Sequence, residues 1–303
     1  MRRLPSHSKK HKRLPTVFLL CATIPTAVLL IVFMVIPTVQ AVLLSFREVN
    51  ILTMKGEFVG LSNYLYMFKD RMFKLSFTNT IKLMVVIPLV TLTVSFLLAF
   101  VLQQVKLREK NLYITFYFFP YFLSATVVAA VWSYVLHPTT GILNKLLSLL
   151  GLESLKHAWV GDAGTALWCI AAVIIWACIG YYIVLYLSSL ESIPEDLYEA
   201  ATLDGATFWD KLRYITLPLM RGTIGTTFIL LMSGVIGTSF VYSNLLTNGG
   251  PNGASNVLMQ YVYTQGIKNG NTGYASAITV VTMTLGILLS VISRRMTQKS
   301  AKE

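Results

Sequence analysis

Charge is scarce in this 303-residue chain: 13% of its residues are Asp, Glu, Lys or Arg and 55% are hydrophobic, against about 25% and about 45–50% in an average soluble domain. With a mean hydropathy of +0.64, that composition excludes an ordinary water-soluble domain and places the chain in the membrane class. Cysteine is also rare. Cys21, Cys169 and Cys178 are odd in number, lack CxxC spacing and fall in apolar runs, so they read as small buried hydrophobes. Histidine offers no metal site, because His7 and His11 lie four apart in a basic tail without a neighbouring carboxylate or cysteine. No GxxxxGK[ST] phosphate loop, GxSxG elbow or HExxH helix occurs, and no apolar run carries an Asp or Glu. The chain is therefore expected to be no enzyme, with no catalytic residue, metal or cofactor of its own. The missing intramembrane carboxylates also argue against a proton-coupled carrier, whose relays need groups that change charge.

What is present is a series of long apolar runs. A hydrocarbon core about 30 Å thick needs roughly 20 residues of helix. Six runs of suitable length extend over 17–46, 81–103, 113–136, 166–190, 222–245 and 275–293. Only the second contains a charge, Lys82, near its start where a long side chain snorkels. The first follows the basic stretch MRRLPSHSKKHKR. It is about twice as long as the 7–15 residues of a cleavable signal, so a permanent helix is expected. No repeat, low-complexity segment or soluble domain interrupts the plan, which predicts an all-α membrane domain over 17–293 between cytoplasmic tails at 1–16 and 294–303. With both ends inside, cytoplasmic segments hold 16 Lys and Arg and outer loops 8, as the positive-inside rule prefers, although the first outer loop with 5 fits poorly. The net charge of +12 thus belongs to tails and loops rather than to a patch for nucleic acid.

One inner loop departs from that pattern. The segment 191–221 holds six acids, Glu191, Glu195, Asp196, Glu199, Asp204 and Asp210, against Lys211, Arg213 and Arg221. Its sequence predicts two short helices. The first opens on a capping box of Ser192 with Glu195, with Pro194 in its first turn, and stops at Asp204-Gly205. The second is capped by Thr207, aligns Phe208, Leu212 and Ile215, and meets a boundary at Leu217-Pro218. A peg this small is not expected to bury Leu197, Tyr198, Phe208 and Trp209 by itself, and so asks for a protein partner.

The stretch EAATLDGATFWDKLRYITLP resembles the EAA loop of ATP-binding-cassette importer permeases: EAA, three residues, G, nine residues, then IxLP. Glu199, Ala200, Ala201, Gly205, Ile215, Leu217 and Pro218 fill its seven positions without departure. The resemblance implies the importer-permease (MetI-like) fold with six transmembrane helices. It also implies a ball-and-socket coupling in which Glu199 pairs with a basic ATPase residue, Ala200 and Ala201 permit close approach, and Gly205 makes the turn. The implied partners are a second related permease, two ATPase subunits that bind ATP and Mg, and an extracytoplasmic solute-binding protein, all at the inner membrane of a prokaryote.

Two outer segments, GILNKLLSLLGL followed by Trp159 and LTNGGPNGASNVLMQYVYTQGI leading into GYASA, resemble the carbohydrate branch of that family. A sugar or oligosaccharide is thus the implied cargo. A non-sugar solute remains the alternative, as does a stand-alone carrier or channel. A sugar path needs hydroxyls, amides and aromatic faces. Ser239, Tyr242 and Asn244 in the polar fifth run, with Tyr181 and Tyr182 in the fourth, are the candidates. Small, hydroxyl and aromatic residues also pack and anchor membrane helices, and that reading stays open for each.

Overall fold

The computed structural model describes residues 16–49, 56–104 and 108–300. Apart from Thr16, the expected basic tail lies outside them, as do the last three residues of the C-tail. The described residues open with α1 (Thr16–Leu30), which passes through a π-helical stretch into α2 (Ile36–Leu44). Two three-residue strands, β1 (Arg47–Val49) and β2 (Gly56–Phe58), pair antiparallel with Glu48 opposite Glu57. They are followed by α3 (Ser62–Met67), α4 (Arg71–Gln104), α5 (Lys110–Phe122), α6 (Ala125–Val135), α7 (Ile142–Leu149) and α8 (Ala166–Leu190). The remainder comprises α9 (Glu195–Leu203), α10 (Phe208–Asp210), α11 (Leu217–Leu246), α12 (Leu258–Tyr263) and α13 (Thr272–Ser300). Among the described residues five helices are long and apolar enough to cross a membrane, and the bent α5–α6 pair passes the same test when its two parts are taken together as one broken span.

The core lies where α4, α8 and α11 meet, around Leu83, Ile87, Phe100, Ile174, Ile183, Tyr186 and Leu190, with α5 laid along α8 and α13 along α11. Gly180 permits the α5–α8 approach. A Cβ there would lie 1.9 Å from the Tyr117 carbonyl oxygen, so any side chain would push the helices apart. A smaller cluster of Met67, Phe73, Leu258, Tyr261, Tyr274 and Ile278 gathers α3, α4, α12 and α13 at one end. None of the apolar window of the first helix is buried inside the chain, and Phe33 is 74% exposed. Cys21 is accordingly exposed rather than buried.

Several expected boundaries differ. The second span begins at Arg71, not at 81. Its 34 residues extend ~51 Å, well past the hydrocarbon core. The protruding end buries Ser76, Asn79 and Thr80 against protein instead of lipid. The third span is not one rod: α5 and α6 meet at 100°. Pro120 stands two residues before the end of α5, Leu123 and Ser124 are extended, and Ser124 restarts the helix by accepting from Val127 N–H. The expected boundary at Leu217-Pro218 is absent, for α10 runs through a π-helical stretch (Lys211–Thr216) into α11. The widened turns absorb the donor that Pro218 lacks.

Candidate functional site

The acidic 191–221 segment folds as a helical hairpin. α9 is not opened by the Ser192–Glu195 box: Ser192 Oγ donates back to the Ser189 carbonyl, and Pro194 holds the N-cap position without a side-chain bond. The proline fixes the entry angle, and Glu195 and Asp196 in the first turn face the positive helix end. α9 closes by a Schellman motif, with Ala206 N–H on the Ala201 carbonyl at 2.9 Å and Gly205 N–H on that of Thr202 at 3.1 Å. Gly205 takes φ +80°, which an L side chain resists. Thr207 and Asp210 then form a complete capping box for the second helix.

The inner face of this hairpin is fastened to the bundle. Tyr198 is buried as part of the core cluster shared with α4, α8 and α11, and its hydroxyl reaches Thr216 Oγ1 at 2.9 Å. Phe208 packs on Phe100 of α4 with ring centres 4.7 Å apart. Gln103 Nε2 donates to the Leu190 carbonyl at 3.1 Å, and Lys110 Nζ meets Glu191 Oε1 at 3.1 Å. Sequence reasoning missed Phe100, Gln103 and Lys110, whose place beside the hairpin is set by helix packing rather than by local pattern.

Glu199 and Ala200 stand exposed on the outer face, Ala201 is half-buried, and nothing would meet a Cβ at Gly205. Leu197, Leu203 and Trp209 are exposed with them, Leu203 at 89%. Ile215 is half-buried, while Leu217 and Pro218 are exposed on the stem. A groove of about 640 Å³ lies beside this face, lined among others by Gln103, Glu191, Glu195, Glu199 and Lys211. The arrangement is an acidic, apolar-tipped knob on a rigid stem.

The polar candidates inside the bundle divide. Ser239 is fully buried and donates to the Ile236 carbonyl of its own helix at 3.1 Å; Tyr182 and Tyr242 are buried too. Tyr181 and Asn244 retain surface. Tyr181 stacks on Tyr121 at 4.7 Å and 20°, and meets Tyr182 edge-on at 5.1 Å. Phe118 stacks on Tyr121 as well, with ring centres 5.7 Å apart. This shelf lies beside the α5–α6 bend. Neither Tyr121 nor Phe118 was legible as part of it, since only the break in the helix gathers them there.

At the end opposite the hairpin, side-chain amides hold the loops. Asn144 Nδ2 donates to the carbonyls of Pro138 and His157, and its Oδ1 accepts from Trp159 Nε1 at 2.8 Å. Asn79 Nδ2 donates to the carbonyls of Ala254 and Asn256 at 2.9 and 3.0 Å. Asp70 Oδ2 accepts from the hydroxyls of Tyr261 and Tyr274 at 2.5 and 2.6 Å. In the loop after α7, His157 Nε2 lies 3.2 Å from Asp162 Oδ2, and the His157 hydrogen bond holds the Asp162 carboxyl below its usual range.

Comparison with known proteins fits this geometry. The chain is 32% identical to the probable ABC transporter permease protein YurN of Bacillus subtilis (strain 168), over 97% of this chain and 99% of that one. It is 30% identical to the diacetylchitobiose uptake system permease protein NgcF of Streptomyces coelicolor, over 92% and 82%. In fold it is similar to a bacterial alginate ABC transporter solved in complex with an alginate pentasaccharide-bound periplasmic protein. The TM-score is 0.84 at 23% identity, covering 93% of this chain and 94% of that one. Residues 92–302 match the model of the binding-protein-dependent transport system inner membrane component. That match takes in both the hairpin and the α8–α11 bundle, and the chain belongs to this family of inner-membrane transport components.

Proposed function

We propose that the chain is one permease half of an ATP-driven importer for a sugar or oligosaccharide, coupled to its ATPase through the 191–221 hairpin. The observation that carries the reading is the two-sided hairpin: Tyr198 ties α9 to the π-helical stretch that leads into α11 and Phe208 packs on Phe100 of α4, while Glu199, Ala200 and Leu203 are presented outward. A stiff peg transmits force only if both ends are held. The bundle holds one end, and a socket on an ATPase subunit holds the other, with Glu199 paired to a basic residue.

The remaining parts follow from that reading. Both termini lie in the cytoplasm, so the Asn79, Asn144 and Asp70 loops face outward, where a solute-binding protein delivers cargo. A second, related permease completes the pathway, and two ATPase chains supply ATP and Mg²⁺ chemistry; this chain holds no cofactor. Cargo passes along the Tyr121–Tyr181 shelf and Asn244, with Ser239, Tyr182 and Tyr242 forming the packed wall behind them. The names of the relatives, which take up diacetylchitobiose and alginate, support a saccharide as cargo.

The test is uptake of labelled saccharides by cells lacking the native gene and complemented with variants. Glu199→Lys places a charge of the wrong sign in a desolvated pair, whose loss costs about 2–5 kcal/mol. It should weaken ATPase retention by ~30-fold or more and abolish uptake while leaving the chain in the membrane. Wild-type uptake rates in Glu199→Lys cells would remove the coupling role.

A further inference from the structure

Between the β1–β2 hairpin and the segment joining α12 to α13 lies a cleft of about 540 Å³, faced by Glu48, Asn63, Tyr66, Gln265, Asn269 and Asn271. Its volume is that of a small-molecule site, roughly 300–1,000 Å³, and it is remote from both the coupling hairpin and the aromatic shelf. Its walls are fixed. Gly273 on the α13 side abuts β1 so closely that a Cβ would fall 1.9 Å from the Arg47 carbonyl oxygen, and Asn63 Nδ2 ties α3 to the carbonyls of Ser45 and Arg47 at 2.9 and 3.0 Å.

The polarity of the lining is set from beneath by one carboxylate. Asp70 only accepts, so the Tyr261 hydroxyl donates to it at 2.5 Å. The Tyr261 oxygen is thereby an acceptor, and Gln265 Nε2 donates to it at 2.9 Å. That turns Gln265 Oε1 toward the cleft rim, where it accepts from Asn269 Nδ2 and Asn271 Nδ2, each at 3.3 Å. Asn63 spends both of its amide N–H groups and offers its carbonyl oxygen; Asn269 and Asn271 spend one each, so each presents a carbonyl oxygen and one remaining N–H, and none of the three oxygens takes a hydrogen bond among the described residues. Glu48 adds a carboxylate, with Glu57 directly across the ladder.

A lining of amide carbonyls and N–H groups beside the Glu48 carboxylate suits a ligand whose hydroxyls both donate and accept and which carries no negative charge. We infer that the cleft is an outward-facing subsite for a neutral di- or trisaccharide, which discriminates against uronate chains. The inference rests on the carbohydrate reading above and adds a site and a charge preference to it. Asp70 is a positioning residue here: it touches no ligand but orients the amides that do.

The test is saturation-transfer NMR on the assembled importer in lipid nanodiscs without its binding protein, using maltotriose, diacetylchitobiose and trimannuronate as probes. Transfer is expected to at least one neutral probe and not to trimannuronate. It should fall fivefold or more in Asn269→Ala/Asn271→Ala, whose side chains are exposed and whose loss leaves the core intact, and in Asp70→Asn, which removes no lining atom. It should persist in Tyr181→Ala. No transfer to either neutral probe, equal transfer to trimannuronate, or a signal unchanged in the double variant would each overturn the subsite. Cellular uptake separates the two readings: wild-type uptake of saccharide with no cleft signal removes the subsite alone, whereas absence of saccharide uptake in the wild type removes the carbohydrate reading itself.

Discussion

The Tyr198 hydroxyl lies 2.9 Å from Thr216 Oγ1 in a buried contact that joins the first helix of the hairpin to the π-helical stretch leading into α11. Thr216 Oγ1 also reaches the Lys211 carbonyl at 3.1 Å, so the same hydroxyl closes the widened turn and receives the hairpin. π-helical turns inside α-helices are frequent at functional sites because they leave the ladder locally adjustable. The hydrogen bond thus joins α9 to the base of the fifth span.

Tyr198→Phe removes that bond while keeping the ring in place. Loss of one buried hydrogen bond costs about 0.5–1.5 kcal/mol, so the chain should still fold and assemble. Amide exchange should rise in 195–203 and stay unchanged in α8, and ATP consumed per solute transported should increase. Unchanged exchange in α9 would show that Phe208 on Phe100 suffices to hold the hairpin.

The legible part of this chain was the part written in local pattern. Seven EAA-loop positions, the Thr207 cap and the Gly205 stop depend on near neighbours, and the structure forms that cap and that stop. The Ser192 cap failed because Ser189, three residues back, offers a closer acceptor while the end of α8 is still helical. The Leu217-Pro218 boundary failed because π turns are invisible to a 3.6-residue period. The bend at Leu123-Ser124 was hidden for another reason: an apolar run satisfies the hydrocarbon core whether or not it is straight. Neither the Tyr121–Tyr181 stack nor the Asp70–Tyr261–Gln265 relay could be read at all, since each joins segments distant in sequence.

Gly180→Ala tests the α5–α8 contact. The added methyl would sit 1.9 Å from the Tyr117 carbonyl oxygen, against backbone that cannot swing away. Overpacking of this kind costs about 1–3 kcal/mol or more. The apparent melting temperature in detergent should fall, and the Tyr121–Tyr181 shelf should open with it. An unchanged melting temperature would mean that α5 slides along α8 at little cost.

Asp162 gives a pH dependence with a definite sign. Its folded carboxyl titrates below the ordinary value because His157 hydrogen-bonds its charged form, assisted by Gly164 N–H. Stability from a lowered carboxyl is present above the unfolded pKa and is lost as pH falls through the folded one. Exchange protection in 157–166 should therefore hold at neutral pH and collapse first on acidification below the normal carboxylate range. Asp162→Asn should flatten that response; a loop that loosens at the same pH in both proteins would assign the effect elsewhere.

The central claim is that the hairpin is seated in a partner ATPase. Affinity purification of the native chain in mild detergent, with mass spectrometry of everything retained, tests it most directly. The account predicts recovery of a P-loop ATPase and a second EAA-containing permease with the wild-type chain, and loss of the ATPase alone with Glu199→Lys. Recovery of the chain by itself, under conditions that keep other membrane complexes intact, would contradict it.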